Sequence, residues 1–231
     1  MCKLALINNL IKLFLPEVCV ACGVELLQSE SGACLKCLYK IPRTNNFSKE
    51  NNSAEILMAG RIPFERIATF SYFVEGGVLR PMIHKLKYYN GKNLGLLLGK
   101  MFGEDLLASD FINNIDVILP VPLHPKKQRS RGYNQAEVIA NGISEATKIP
   151  VITNNLTRLV FNPTQTKRTK TERWKNVSGI FEIKDSTVFE SKHILLVDDV
   201  ITTGSTIEAC GYALQNCDNL KISIATIGEV L

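Results

Sequence analysis

Residues 194–206 read ILLVDDVITTGST. Four apolar residues, Ile194 to Val197, lead into the adjacent carboxylates Asp198 and Asp199, and a Thr-Thr-Gly-Ser-Thr run spans Thr202 to Thr206. A short unbroken apolar run ending in a polar turn marks a strand covered on both faces, as in a parallel sheet; a strand covered on one face alternates. The turn that follows suits an anion. Backbone N–H groups at the start of a helix near Ser205 point outward, and the helix end adds partial positive charge. The hydroxyls of Thr202, Thr203, Ser205 and Thr206 add donors, and Gly204 allows the backbone to approach a phosphate closely. The chain contains neither the G-x-x-x-x-G-K-[ST] pattern of a mononucleotide P-loop nor a G-x-G-x-x-G fingerprint. The stretch therefore predicts a cradle for a phosphorylated ribose. Asp198 and Asp199 accept hydrogen bonds from vicinal hydroxyls or, through water, help position Mg²⁺ on a pyrophosphate. Loop capping alone explains one acid but not the pair.

Outward from this stretch, further strands are expected at 67–73, 117–121 and 222–227. Helices are expected at 78–88, 92–108, 134–147 and 205–214. Residues 78, 79, 82, 83 and 86 form a helical apolar stripe. Alternating strands and helices predict an α/β domain over 61–231 with a mostly parallel sheet. Residues 1–42 hold a short amphipathic helix and a cysteine-bearing segment, and the Asn- and Ser-rich stretch 43–60 reads as a linker.

The bulk composition is that of a soluble protein, with 45% hydrophobic and 21% charged residues. The longest apolar candidate, Leu4 to Leu15, is interrupted by Asn8, Asn9 and Lys12. The reading predicts no membrane span, no secretory leader and a cytoplasmic location. The chain has 27 Lys and Arg against 22 Asp and Glu, a formal charge of +5. The excess is concentrated: His124 to Lys175 contains eleven basic residues and three glutamates. Such a field attracts phosphate-rich ligands, either a small metabolite or nucleic acid.

Cys19-Val-Ala-Cys22 and Cys34-Leu-Lys-Cys37 form two C-x2-C pairs with eleven residues between them. Four soft ligands in this grouping favour tetrahedral structural zinc over an iron–sulfur centre or disulfides. A closed shell of four thiolates leaves no position for substrate, so its expected role is to hold together a segment too short for its own core. Cys2, Cys210 and Cys217 lack paired spacing, and Cys210 reads as a small buried hydrophobe.

Several further residues are candidates for the same site. The turn from Val121 through Gly132 leaves a strand end, where open α/β sheets place ligands. Arg129 and Arg131 are candidates to clamp pyrophosphate oxygens, with Lys126 and Lys127 as outer steering charges. Tyr133 either stacks on a ring or packs, and His124 is a weaker ligand contact. Lys87 and Tyr88 reach the site from a helix end, although Lys87 reads equally well as a surface residue. The basic segment 162–176 suggests a hood that carries positive groups to a phosphate ligand, with Trp174 anchoring its far end.

Val197–Thr206 resembles the 5-phosphoribosyl-1-pyrophosphate signature of type I phosphoribosyltransferases. That resemblance implies a ribose-binding role for Asp198 and Asp199 and a 5′-phosphate loop from Thr202 through Thr206. Residues 121–137 and 162–181, Lys87-Tyr88 and the four-cysteine element together resemble the competence protein F family over essentially the whole chain. Membership implies a zinc module ahead of a phosphoribosyltransferase-like domain and an association with DNA uptake during natural transformation. In the hood, Gln165, Arg173 and Asn176 match the family pattern, while Lys167, Arg168 and Lys170 are less position-specific. Three readings follow. The chain binds 5-phosphoribosyl-1-pyrophosphate or a related phosphoribosyl compound with Mg²⁺; if it is an enzyme, a nucleophile attacks C1 as pyrophosphate leaves, and the sequence offers no evident base for a specific acceptor. Alternatively, it is a non-catalytic accessory factor that binds single-stranded DNA. A third reading is a scaffold whose zinc module docks a competence helicase or a membrane partner.

Overall fold

The computed structural model describes residues 16–161 and 179–230. The expected first helix, Cys2 and the 162–176 hood lie outside the described residues. Four strands form a parallel sheet in the order β1–β6–β5–β2. They are β1 Ile67–Tyr72, β2 Val117–Pro120, β5 His193–Ile201 and β6 Lys221–Glu229. Two short antiparallel strands, β3 Leu156–Arg158 and β4 Phe181–Ile183, stand apart as a hairpin. The expected α/β architecture with a parallel sheet is present.

The unbroken apolar character of β5 has the anticipated cause. Successive side chains enter opposite layers: Ile194 and Leu196 one core, Leu195 and Val197 the other, all fully buried. Helices α3 Leu79–Tyr88, α4 Lys92–Leu107 and α6 Gln135–Thr147 supply most of the helical side chains of the first core. Helices α2 Ser53–Met58 and α7 Ser205–Leu214 line the second, which also holds Cys210 and Cys217. A two-residue cap by α1 Leu35–Tyr39 brings Cys37 and Leu38 into the first core, with Cys19 and Cys34 beside them.

The strand carrying the acids runs further than expected. Pairing of Asp198 with Thr226 and of Val200 with Gly228 continues the ladder to Ile201, so the two acids belong to the strand end and not to the turn.

Residues 43–60, which read as a linker, contain folded and packed structure. Their polar residues satisfy the open edge of β1. Asn52 caps α2 and forms a capping box with Glu55, while its amide donates to the Ile67 carbonyl at 2.9 Å. Glu55 accepts from the Ile67 N–H at 3.1 Å, and Asn46 accepts from the Thr69 N–H at 2.9 Å. An uncovered edge strand presents unpaired backbone groups, and these side chains close it. An Asn-rich composition therefore records hydrogen-bond work here, not a lack of order.

Candidate functional site

The C-terminal ends of the central strands carry the charged groups. Asp199 accepts from Lys87, whose Nζ reaches its Oδ2 at 3.1 Å from the last turn of α3. Asp198 accepts from the Asp199 N–H at 2.8 Å. Burial, and then the Asp199 charge, push the Asp198 carboxyl from the ordinary 3.8 up to about 7. Part of its surface still reaches solvent. Two neighbouring carboxylates at a strand end resist joint ionisation unless a cation or a set of donors joins them.

With Asp198 raised in the folded state, the native protein holds a proton that the unfolded chain has already released. Stability from this group is present below the unfolded value of 3.8 and is lost as pH rises through about 7. Ligand-free thermal midpoints are expected to fall across that window. Asp198→Asn is expected to flatten the slope; an unchanged slope would remove Asp198 as its source.

Beyond Ile201 the chain turns through Thr202 and Thr203, both exposed, into Gly204 and the first turn of α7. Gly204 sits at φ +72°, a left-handed conformation that side chains rarely adopt. A Cβ there would collide with Met58 Sδ and lie 2.9 Å from an Arg61 nitrogen. Thr203 and Ser205 share a hydroxyl contact of 2.9 Å. Beneath the loop, Arg61 donates to the Thr203 carbonyl and binds Glu208 on α7, its Nε reaching Oε2 at 3.0 Å. Sequence reading passes over Arg61, which lies just past a stretch taken for a linker.

The segment after β2 differs from the expected open turn: residues Pro125–Arg131 form helix α5. His124 caps it, its Nδ1 accepting from the Lys126 N–H at 3.2 Å, and Gly132 ends it at φ +80°. His124 also packs edge-on against Phe161. On a helix, residues two apart face different ways and residues four apart share a face. Arg131 donates to Gln135 at 2.7 Å and lies 5.4 Å from the Tyr88 ring centre, while Arg129 is exposed on α5. Lys127 shares a face with Arg131. Lys127 is exposed as a residue, but partial desolvation of its ammonium, followed by the charges of Arg131, Arg158 and Lys87, lowers it below the usual lysine value. Lys127 thus feels Arg131, Arg158, Lys87 and Asp199 together, and Lys87 and Arg158 also act on Asp198; Lys127 and Arg158 lie beyond the residues proposed as ligand contacts from sequence. Arg158 lies at the end of β3, a three-residue strand too short to show periodicity. Tyr133 is buried and donates to the Leu86 carbonyl, so it packs and does not present a stacking face. Asn134 holds the neighbouring strand end by donating to the Val121 carbonyl at 2.9 Å.

Away from this site, the sulfurs of Cys19, Cys22, Cys34 and Cys37 all lie within 4.8 Å of one another. Four ligands on a tetrahedron with metal–sulfur bonds of about 2.3 Å stand about 3.8 Å apart. Cys22 and Cys34 approach at 3.7 Å, and Cys19 accepts from the Cys34 N–H at 3.3 Å. Burial opposes ionisation of Cys19, but amide donors from Cys34, Ala21 and Cys22 outweigh it and bring the thiol down to about 6. Burial and then the neighbouring sulfurs drive Cys37 the other way. The donor set can hold a metal such as zinc, whose charge would allow all four thiolates to coexist.

A phosphoribosyl transferase domain model matches residues 107–229, which contain α5, the acid pair and the Thr202–Thr206 loop. Competence protein F of Haemophilus influenzae is 38% identical over 210 residues, 89% of this chain and 82% of that protein. The chain belongs to the competence protein F family. The DNA utilization protein YhgH of Escherichia coli K12 is 24% identical over 193 residues, covering 82% of this family member and 74% of YhgH. Competence protein ComFC of Bacillus subtilis matches a shorter stretch, 35% identical over 91 residues, 39% of this chain and 35% of ComFC. Among the described residues of this competence protein F relative, no helix is long and apolar enough to cross a membrane.

Proposed function

We propose that this chain binds 5-phosphoribosyl-1-pyrophosphate with Mg²⁺ and takes part in DNA uptake. The carrying observation is the Asp198–Asp199 pair on a strand end, joined directly to a glycine-centred loop at the N-terminus of α7, with Asp199 ion-paired to Lys87. In this reading Thr202, Thr203, Gly204, Ser205 and Thr206 cradle the 5′-phosphate, and the acids accept from the ribose hydroxyls. Lys87, Lys127, Arg131 and Arg158 face the pyrophosphate, with Tyr88 beside them; Arg129 serves as an outer steering charge. Magnesium, when bound with the ligand, would neutralise pyrophosphate charge, and Asp198 and Asp199 are the carboxylates suited to hold it through water. Transfer of the phosphoribosyl group is the reaction this arrangement suits. The bond from C1 to the pyrophosphate oxygen breaks as an acceptor attacks C1. The chain's part in that step is positional and electrostatic.

Calorimetric titration with 5-phosphoribosyl-1-pyrophosphate in Mg²⁺ is expected to show saturable binding. Asp198→Ala combined with Asp199→Ala is expected to weaken it by at least about 100-fold, since both ribose contacts and the charge balance are removed together. No binding by the native protein, or native-like binding by the double variant, would sink the reading.

The cysteine cluster is proposed as a structural zinc site. The DNA connection rests on the names of the relatives and on the cations around α5. A second reading, non-catalytic binding of single-stranded DNA, is favoured by the exposure of Lys126, Lys127 and Arg129 along one helix. Salt-dependent titration with single-stranded oligonucleotides separates it from the first. Neutralising those three residues lowers affinity and salt slope only if that helix carries the contact.

A further inference from the structure

Arg61 lies beneath the loop proposed to hold the phosphate. Its guanidinium makes two kinds of contact. One nitrogen donates to the Thr203 carbonyl, in the loop itself. The other two engage Glu208, one residue beyond the third position of α7, with Nε to Oε2 at 3.0 Å. Both side chains are largely buried, with 24% of Arg61 and 20% of Glu208 exposed. Tyr212 approaches the other carboxylate oxygen at 3.4 Å.

Glu208 presents an electrostatic problem for a phosphate site. It is the acid in the first turn of the helix whose N-terminus forms the cradle. An anion there is attracted to the same positive helix end that a phosphate would use, and it repels a second anion at that end. Left unpaired, Glu208 would compete with the ligand. Arg61 holds it to the side of α7 that faces residues 53–61 and cancels its charge. The same guanidinium fixes the peptide that precedes Gly204, and Met58 of α2 packs against Gly204 from the same direction.

We propose that Arg61 is a positioning residue for the phosphate loop: it masks Glu208 and pins the Thr203 carbonyl, so that the loop presents its donors to a dianionic phosphate. The proposal rests on the phosphoribosyl reading of the site and adds a selectivity device to it. The pair is set against the loop by the segment joining the cysteine-bearing region to the sheet.

The experiment combines two measurements on the full chain. In the first, ribose 5-phosphate and 5-phosphoribosyl-1-pyrophosphate are titrated into native protein, Arg61→Ala, Glu208→Gln and the double variant. Arg61→Ala is expected to weaken both ligands by roughly tenfold or more, because an unmasked carboxylate is added and a loop anchor lost. The double variant is expected to recover at least about threefold of that loss, since removing Glu208's charge removes the repulsion without restoring the anchor. Glu208→Gln alone is expected to bind as well as native protein or better. A purely structural role for Arg61 predicts no recovery in the double variant, and that result overturns the masking proposal, as does native-like binding by Arg61→Ala. In the second, amide hydrogen exchange over residues 202–206 is compared without ligand. Exchange is expected to rise about tenfold or more in Arg61→Ala while the β5 core amides keep their protection, which also shows that the variant is folded. Unchanged exchange in the loop overturns the pinning. Because exchange is read without ligand, a native protein that binds neither compound fails the phosphoribosyl reading and leaves Arg61's hold on the loop separately decided.

Discussion

Gly142→Leu is expected to prevent this chain from folding to its native state. Helices α4 and α6 meet along glycines: a Cβ at Gly142 would lie 2.8 Å from the Lys100 nitrogen and 2.9 Å from the Gly99 Cα, and it would collide with the Leu96 carbonyl. A Cβ at Gly99 would in turn strike the Ile139 carbonyl and lie 3.1 Å from the Gly142 Cα. These neighbours are backbone atoms and cannot rotate aside. Replacing helical glycine with alanine at an exposed position stabilises a helix by about 1 kcal/mol. Here the sign reverses. Overpacking a well-filled core costs about 1–3 kcal/mol, occasionally more, and a leucine wedge between two backbones belongs at or above the top of that range. Against a net stability of about 5–15 kcal/mol, a forced separation of α4 from α6 removes much of what holds the first core together. Gly142→Ala, the smaller step, is expected to lower the urea midpoint with an unchanged slope, and Gly142→Leu to yield insoluble or non-cooperatively unfolding protein. A native midpoint for Gly142→Leu would show that the helices are not in backbone contact.

Cys37→Ser is expected to release the zinc proposed for the cysteine cluster and to loosen more than the cysteine-bearing segment. A serine oxygen is a harder and weaker ligand than a thiolate, and a four-ligand site with one poor member loses much of the roughly 10–16 kcal/mol that structural zinc supplies in small modules. The segment is not insulated from the sheet. Cys19, Cys34 and Cys37 share the first core with Leu94 and Leu98, and a Cβ at Gly32 would sit 3.1 Å from Leu94 Cβ. Loss of metal therefore exposes one flank of α4. Metal content is expected to fall from one equivalent to near zero, and the thermal midpoint by at least about 5 °C, the size of shift that 1–2 kcal/mol produces in a domain of this length. Full metal occupancy in the variant, or an unaltered midpoint after its loss, would contradict the shared core.

The parts of the site that were legible from sequence are those whose physical cause is local. The run Ile194 to Val197 announces burial on both faces because strand side chains alternate, and the two cores receive them as that rule requires. The Thr202–Thr206 loop and the two C-x2-C pairs are likewise short-range patterns with few other uses. The contacts that escaped notice act across distance. Arg61 reaches Glu208 over 147 positions, and Lys87 reaches Asp199 over 112. Arg158 and Lys127 join the cation cluster only because a hairpin and α5 turn toward the same strand ends. Helix α5 itself is seven residues long, with Pro125 at its start, a basic interior and Gly132 at its end. A segment so polar has no apolar stripe to reveal it, and its helical geometry is what parts Arg129 from Arg131. The stretch 43–60 misled for a related reason: Asn and Ser satisfy a strand edge as readily as they solvate a loop.

For the opening stretch ILLVDDVITTGST, the sequence by itself determined a buried parallel strand, an acid pair at its end and a glycine-centred turn into a helix, because periodicity, charge and turn chemistry are encoded within a dozen neighbouring residues. Only the tertiary structure decided how far the strand runs, which cations converge on the acids, and that Arg61 stands between the loop and Glu208. Those outcomes depend on which distant backbones pack together, and the energy that selects them belongs to the cores and not to any one segment.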